Sequence, residues 1–486
     1  MANDLITLSP LGWVQVQLLG GVKRVLSICG LYAGAMLLFN VLIYRGIGGA
    51  SQSGPTLAVF AAGSLVVVVF IEAALLFLLG TGAIKRAVHR DFTTDMITSH
   101  RTTAMTGYSA ALGYLLGATC TVLALSVVNW LAASVLAALA GYPLIAPTVL
   151  FFVFGCLTSM IWAFALLIAL STRGATSIAG LIILLAFCLP QGVLSAHPGL
   201  SLLLGTTLLT NISVATTSGT VDPSIFISMI AQVVLAATFY IAAARKFARD
   251  DVSAFNPPLA YLLLAVCVLV SAVALRFWPG TPGPFSFRRS PFNWPVQCIV
   301  TLGSLALVAM LPVVAAARHS AGWARRKAKD PDCDTPAPRS FVEAPIIATV
   351  LVFAIVVAVN TRQVLGVFET NGAEPVRAAL FIAAAFLLAL MPVAGMFRYA
   401  YAAVPKAMWL MLLVFILWAV PPVLDLTLEA VYERPTGFPK SWVFGCSPIG
   451  TWILTLTRVQ GPVLPGLCVQ AAIGAASLLL ARRARY

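Results

Sequence analysis

Charged residues are scarce in this chain of 486 residues. Only 9% of them are Asp, Glu, Lys or Arg, and 60% are hydrophobic. A water-soluble domain cannot bury that much apolar surface inside a core, so the composition excludes a soluble globular protein. The sequence therefore predicts an all-α, polytopic integral membrane protein with the lipid bilayer as its solvent.

Motifs for chemistry within the chain are missing as well. No GxxxxGK[ST] phosphate loop occurs, and the nine cysteines form no CxxC pair. The four histidines do not stand at metal-ligand spacing from Cys, Asp or Glu. We therefore predict that this chain is not an enzyme and that it binds no metal and no cofactor.

The N-terminal residues lack the pattern of a removable signal peptide, so the first span is expected to stay as an anchor.

Basic residues outnumber acidic ones, which gives a formal charge of +14. In so apolar a chain, Lys and Arg are expected in loops against anionic lipid headgroups, so membrane lipids rather than nucleic acid are the predicted partners.

Apolar runs long enough to cross a bilayer occur throughout the sequence. The first half, residues 1–250, contains 25–44, 57–80, 108–131, 144–170, 178–194 and 225–244. The second half, residues 251–486, contains 259–275, 296–317, 344–359, 378–397, 408–424 and 463–480. We predict about twelve transmembrane helices in two six-helix halves, and a basic cytoplasmic loop at 318–343 in the second half.

Orientation follows from the distribution of positive charge. If the loop at Lys85 is cytoplasmic, most of the 30 Lys and Arg residues fall on that side. Both termini are then cytoplasmic, as an even number of spans requires. The predicted location is the cell (plasma or inner) membrane.

The most informative stretch follows the second run. Ile84, Ala87, Val88, Phe92 and Met96 recur at helical spacing. Lys85, Arg86, His89, Arg90, Thr93 and Thr94 occupy the other side. This pattern predicts an amphipathic helix lying on the membrane surface. We place this cytoplasmic helix at 84–106, where the chain turns into the third span.

A family resemblance rests on this stretch. The run His89-Arg90-Asp91, then Thr94, Met96-Ile97 and the glycine-containing segment 112–117 resemble the ABC-2 type permease family, the membrane subunits of one class of ABC exporters. His89 stands where that family usually has an acid, and Tyr114 where it usually has a lysine.

The resemblance implies a function and a site. A separate cytosolic ATP-binding cassette subunit is expected to bind and hydrolyse ATP. The residues expected to couple this chain to it are Lys85, Arg86, His89, Arg90, Asp91, Phe92, Thr94 and Met96. With two halves in one chain the transmembrane unit is expected to be complete without a second copy, and a dimer is left open.

Glu72 is the intramembrane polar candidate, because it lies well inside the second run. The cost of placing a carboxylate there must be compensated by its surroundings, and the residue has either a structural role or a role in a solute path or proton step.

Two other functions stay open. An ion-coupled secondary transporter suits twelve spans in two halves. A membrane-embedded enzyme acting on lipid-linked substrate would need the loop from Asp425 to Arg434.

Overall fold

The computed structural model describes six stretches of the chain. They are residues 10–50, 57–103, 105–172, 223–249, 254–277 and 463–483, together with the isolated positions 388, 420, 424, 446, 447 and 450. In these stretches the chain is helical and contains no strand, which confirms the predicted all-α class.

The helices begin and end as follows: α1 (Pro10–Leu18), α2 (Gly21–Ala50), α3 (Leu57–Ala73), α4 (Thr81–Thr93), α5 (Met96–Thr102), α6 (Gly107–Leu112), α7 (Cys120–Leu139), α8 (Ile145–Thr172), α9 (Pro223–Ala248), α10 (Pro257–Phe277) and α11 (Val463–Arg483). Two wider π-helical segments interrupt this series: π1 (Ala74–Gly80) and π2 (Gly113–Gly117).

Five helices in the described stretches are long and apolar enough to cross a membrane. They cover Gly21–Arg45, Leu57–Thr93, Cys120–Leu139, Ile145–Thr172 and Phe226–Ala248. Each overlaps a predicted run of the first half. In the second half, α10 and α11 cover the predicted runs 259–275 and 463–480. The remaining runs, at 178–194, 296–317, 344–359, 378–397 and 408–424, and the loop at 318–343 lie outside the described residues.

The chain divides into two compact units. One comprises Met1–Pro190 and Leu202–Ala254, and the other comprises Gln191–Ser201 and Phe255–Tyr486. Within the first unit, α8 contacts α4, α7 and α9, and much of its length is buried. Helix α2 lies at the edge of this unit, where Leu31 is 76% exposed, as expected of a side chain that faces lipid.

The basic stretch is not a separate surface helix, and the prediction of one helix at 84–106 is wrong. Helices α3 and α4 are joined through π1 without a break and form one helix of 37 residues. Such a helix is roughly 55 Å long, whereas the hydrocarbon core is about 30 Å thick. The basic end of α4 must therefore extend beyond the hydrocarbon core.

The chain turns after α4 at Thr94 and Asp95, where Thr94 binds a carbonyl of the last helical turn and a left-handed residue follows. The Thr94 N–H donates to the Arg90 carbonyl at 2.9 Å, and the Thr94 hydroxyl donates to the same carbonyl at 2.8 Å. Asp95 then adopts a φ of 55°, which Asp tolerates better than most residues. Helix α5 starts at the next residue. We call residues 93–99 the elbow.

Burial along α4 corrects the predicted apolar face. Ile84, Ala87 and Val88 are buried as predicted, but the next buried residue is Asp91. Phe92 is half-buried, and Met96 lies beyond the turn and is 38% exposed. The helical period therefore brings an acid into the interior, and the break at Thr94–Asp95 removes Met96 from that face.

Candidate functional site

The predicted coupling residues divide into three groups by exposure. Arg86, His89, Thr94 and Met96 are exposed, Lys85, Arg90 and Phe92 are half-buried, and Asp91 is buried. The exposed members surround the elbow at the end of α4. The buried member, Asp91, points into the protein, where residues distant in sequence meet it.

Asp91 is 1% exposed and accepts two hydrogen bonds at one oxygen. The Tyr114 hydroxyl donates to Oδ2 at 2.6 Å, and Nε2 of Gln15 donates to the same atom at 3.2 Å. Tyr114 belongs to π2 and Gln15 to α1. One carboxylate therefore joins three elements, α1, α4 and π2.

Two basic side chains approach this carboxylate without a direct hydrogen bond. Nε of Arg90 lies 3.7 Å from Oδ1, and Nε2 of His100 lies 3.9 Å from Oδ2. Arg90 instead donates from Nη2 to Oε1 of Gln15 at 2.6 Å. The Gln15 amide thus accepts from Arg90 and donates to Asp91, and only one orientation of the amide satisfies both. We call Gln15, Arg90, Asp91, His100 and Tyr114 the Asp91 cluster.

Helix α1 can reach this cluster because Gly117 has no side chain. A Cβ at Gly117 would lie 2.6 Å from the Gly12 carbonyl oxygen and 2.7 Å from the Gly12 Cα. Leu11 and Gln15 are buried in this contact region of α1. A glycine in π2 therefore permits the close approach that places Gln15 beside Asp91.

Helix α9 connects to the same region through Arg101 and Phe247. Nε of Arg101 donates to the Phe247 carbonyl at 2.8 Å, and its guanidinium lies 6.0 Å from the centre of the Phe247 ring. The same ring also neighbours Tyr114, at 6.1 Å between ring centroids. The residues on either side of the elbow, Asp91 and Arg101, thus attach it to α1 and π2 and to α9.

Glu72 lies in a second polar cluster, inside the first unit. Its side chain is fully buried, and Nδ2 of Asn129 donates to its Oε2 at 2.9 Å. The Ser126 hydroxyl hydrogen-bonds with its Oε1. The Tyr32 hydroxyl donates to Oδ1 of Asn129 at 2.6 Å. We call Tyr32, Glu72, Ser126 and Asn129 the Glu72 cluster.

The Glu72 cluster compensates the acid with neutral groups. An acidic group at mid-span costs about 2.5–3.5 kcal/mol on insertion scales. In the part of the chain that the structure describes, no Lys, Arg or His lies within ion-pair distance of Glu72. Hydrogen bonds from α7 therefore take the place of a counter-charge.

The π-helical segment π1 begins two residues after Glu72. In π1 the Leu76 carbonyl accepts from Nε1 of Trp162 at 2.8 Å, so an indole from α8 satisfies a group inside the π segment. Gly80 makes room for this indole, since a Cβ there would lie 2.5 Å from Nε1 of Trp162. The register of the long helix changes between Glu72 and Asp91 because of this segment.

Sequence reasoning named Asp91 and Glu72 but missed their partners. Gln15, Ser126 and Asn129 are polar residues within apolar helices, and Ser126 and Asn129 stand three apart on one face of α7. That spacing was the available signal. Tyr114 was noted only as a departure from a family pattern, and no sequence rule connects it to Asp91.

One candidate site predicted from the sequence, the loop from Asp425 to Arg434, lies outside the described residues. Among the residues that are described, no group of three His, Cys, Asp or Glu side chains could hold a metal ion. No protein-family model, curated protein or solved structure matches this chain.

Proposed function

We propose that this chain is the transmembrane permease subunit of an ATP-driven transporter of ABC-2 type, acting in export. It has about twelve transmembrane helices in two six-helix halves, with both termini cytoplasmic, and resides in the cell membrane. ATP is bound and hydrolysed by a separate cytosolic ATP-binding cassette subunit. The chain contacts membrane lipids and no nucleic acid, and it holds no cofactor of its own.

The observation that carries this proposal is the exposed elbow at the end of a helix too long for the bilayer. Thr94, Asp95 and Met96 are exposed there, and the basic side chains of Arg86 and His89 lie one to two turns earlier. A soluble partner can reach this surface without entering the membrane. The elbow connects the second span to the third, where the resemblance expects the coupling contact.

The Asp91 cluster supports a coupling role for the elbow. A push on the elbow would be transmitted to α1 through Gln15, to π2 through Tyr114 and to α9 through Arg101. Packed elements joined in this way move as units rather than bending locally. The displacement of one surface would therefore tilt several helices together.

Co-purification with the ATP-binding cassette subunit tests the proposal. Arg86→Glu combined with Met96→Asp changes two exposed side chains beside the buried cluster, so we expect the association to be lost while the chain remains folded. Lys23→Glu is the matched control, because Lys23 is also exposed and basic but lies at the start of α2. Association that survives the double change, or that falls equally in the control, contradicts the proposed docking surface.

A second candidate is an ion-coupled secondary transporter, and the Glu72 cluster favours it. A buried acid with neutral partners on neighbouring helices is the type of group that carriers use to bind an ion. Efflux of apolar dyes from cells or vesicles distinguishes the two. Transport that follows an imposed proton gradient and continues after ATP depletion supports the carrier, whereas transport that stops with ATP depletion supports the permease.

A further inference from the structure

The Glu72 cluster lies at the level of the middle of α7. Asn129 is the tenth of the 20 residues of that helix, and Ser126 is one turn before it. Glu72 faces both from α3, and Tyr32 faces Asn129 from α2. The carboxyl group is therefore far from either end of the helix that holds it in place.

The helices around this carboxyl group supply no positive charge. Apart from Glu72 itself, α3, α7 and α8 contain no Asp, Glu, Lys, Arg or His. In α2 the basic residues are Lys23, Arg24 and Arg45, which stand near its ends. The titratable group that these helices do bring to the cluster is the Tyr32 phenol. Within the described part of the chain, a negative charge on Glu72 would thus be buried without a counter-ion.

The hydrogen bonds suit a neutral carboxylic acid. The Tyr32 phenol donates to Oδ1 of Asn129, so the Asn129 amide turns its Nδ2 donor toward Glu72. Oε2 of Glu72 then acts as an acceptor. The Ser126 hydroxyl is placed as a donor to Oε1. Because a hydroxyl hydrogen can rotate, the Ser126 oxygen can instead accept from a protonated Oε1.

The same directionality disfavours a metal cation such as Na⁺. A cation would need the Asn129 carbonyl oxygen as a ligand next to the carboxylate. That oxygen already accepts from Tyr32, and the amide nitrogen occupies the position facing Glu72. Reversing the amide would place its NH₂ group against the Tyr32 hydroxyl, which would then have to accept this hydrogen bond instead of donating it.

We propose that Glu72, held by Asn129 and Ser126, is a proton-binding site within the membrane, with Glu72 protonated at neutral pH and Tyr32 fixing the Asn129 donor toward it. The proton resides on Oε1 and is donated to the Ser126 hydroxyl oxygen. This site binds its proton whichever energy source drives transport, so it does not rest on the proposed ATPase partner.

Infrared spectroscopy of the purified full-length chain in lipid nanodiscs tests this site. We expect wild type minus Glu72→Gln to show one carboxylic-acid C=O band at neutral pH, which disappears as the pH is raised and Glu72 loses its proton. Ser126→Ala keeps Glu72 but removes a hydrogen-bond partner, so the band should shift in frequency. Asp95→Asn is the control, since Asp95 is exposed and lies outside the Glu72 cluster, so this substitution should leave the acid band in place.

Three outcomes would overturn the proposal. In the first, the Glu72→Gln difference spectrum contains carboxylate bands alone at neutral pH. In the second, the Glu72 band is unchanged in Ser126→Ala, so that Ser126 is not the hydrogen-bond partner of the carboxyl group. In the third, the acid band appears only after Na⁺ is removed from the buffer, which would make a metal cation the occupant. Binding of the ATP-binding cassette subunit is expected to be unaffected by Glu72→Gln, which keeps this test separate from that of the proposed function.

Discussion

The two buried acids, Asp91 and Glu72, are stabilised by different kinds of neighbouring groups. Asp91 lies at the end of the long helix, with Arg90 and His100 within 4 Å and donors from Gln15 and Tyr114. Glu72 lies in the apolar part of the same helix, where its hydrogen-bond partners are neutral. The first joins three elements through its hydrogen bonds, and the second is the proposed proton-binding site.

Replacing Asp91 with Asn should destabilise the protein. The change places an amide NH₂ near the donor nitrogen of Arg90 or the donors of Tyr114 and Gln15, which leaves buried donors without acceptors. A cost of about 1–3 kcal/mol is expected. Thermal unfolding of the purified protein measures it. Asp95→Asn, at an exposed position that tolerates Asn, should stay within about 0.5 kcal/mol of wild type, and equal effects at both positions would contradict the role of Asp91.

Replacing Gly80 with Ala should disturb the contact between π1 and α8. The new Cβ would lie 2.5–2.6 Å from atoms of the rigid Trp162 indole, so the ring must move and lose its bond to the Leu76 carbonyl. Overpacking of this kind costs about 1–3 kcal/mol, again measurable by thermal unfolding. Gly82→Ala is the matched control because its Cβ would meet nothing within 4 Å; if it lowers stability equally, steric conflict is not the cause.

At the scale of elements, glycines decide which helices meet. Gly80 leaves space for the Trp162 ring, and Gly117 leaves space for the backbone of α1. Gly107 does the same for α9, because a Cβ at Gly107 would lie 2.3 Å from the Ala244 carbonyl oxygen. Two of these contacts meet backbone atoms, which cannot rotate away. The position of α1 and α9 against the third span therefore depends on residues that contribute no side chain at all.

Replacing Gly117 with Ala should detach α1 from π2, because the Gly12 backbone cannot yield to the added Cβ. Leu11→Cys reports the change, since Leu11 is 1% exposed in the docked helix. We expect maleimide to label Cys at position 11 much faster in the Gly117→Ala background, with the labelled peptide identified by mass spectrometry. Gly155→Ala is the control, as its Cβ would meet nothing within 4 Å. Slow labelling in both backgrounds would show that α1 remains docked.

At the scale of the whole molecule, the proposed topology places the elbow and the basic helix ends in the cytoplasm. Among the described connections, the turn between α7 and α8 contains Gly141, where φ is 79°. Arg86 and Tyr142 are both exposed but separated by the full length of α7. They are therefore suitable reporters for the two sides of the membrane.

Cysteine labelling in intact cells tests this topology. With a membrane-impermeant maleimide, Tyr142→Cys should be labelled directly, because the turn between α7 and α8 is expected to face outward. Arg86→Cys should be labelled only after permeabilisation. Peptide mass spectrometry separates these sites from the nine native cysteines. Labelling of position 86 in intact cells would reverse the topology and remove the elbow from the reach of a cytosolic ATPase.

Composition and periodicity alone predicted an all-helical membrane protein. The sequence is 60% hydrophobic and arranged in long apolar runs, and in lipid such runs satisfy their backbone hydrogen bonds by forming helices. Composition and periodicity also located Glu72 and the basic stretch before Asp91. Only the tertiary structure decided that the basic stretch continues a membrane helix, that Asp91 faces inward, and that Gln15 and Asn129 complete the two polar clusters. Hydrogen bonds such as Gln15–Asp91 and Asn129–Glu72 join different helices. Helical period specifies the face on which a side chain lies, but the partner depends on how closely backbones pack, which here is set by glycines and wide turns.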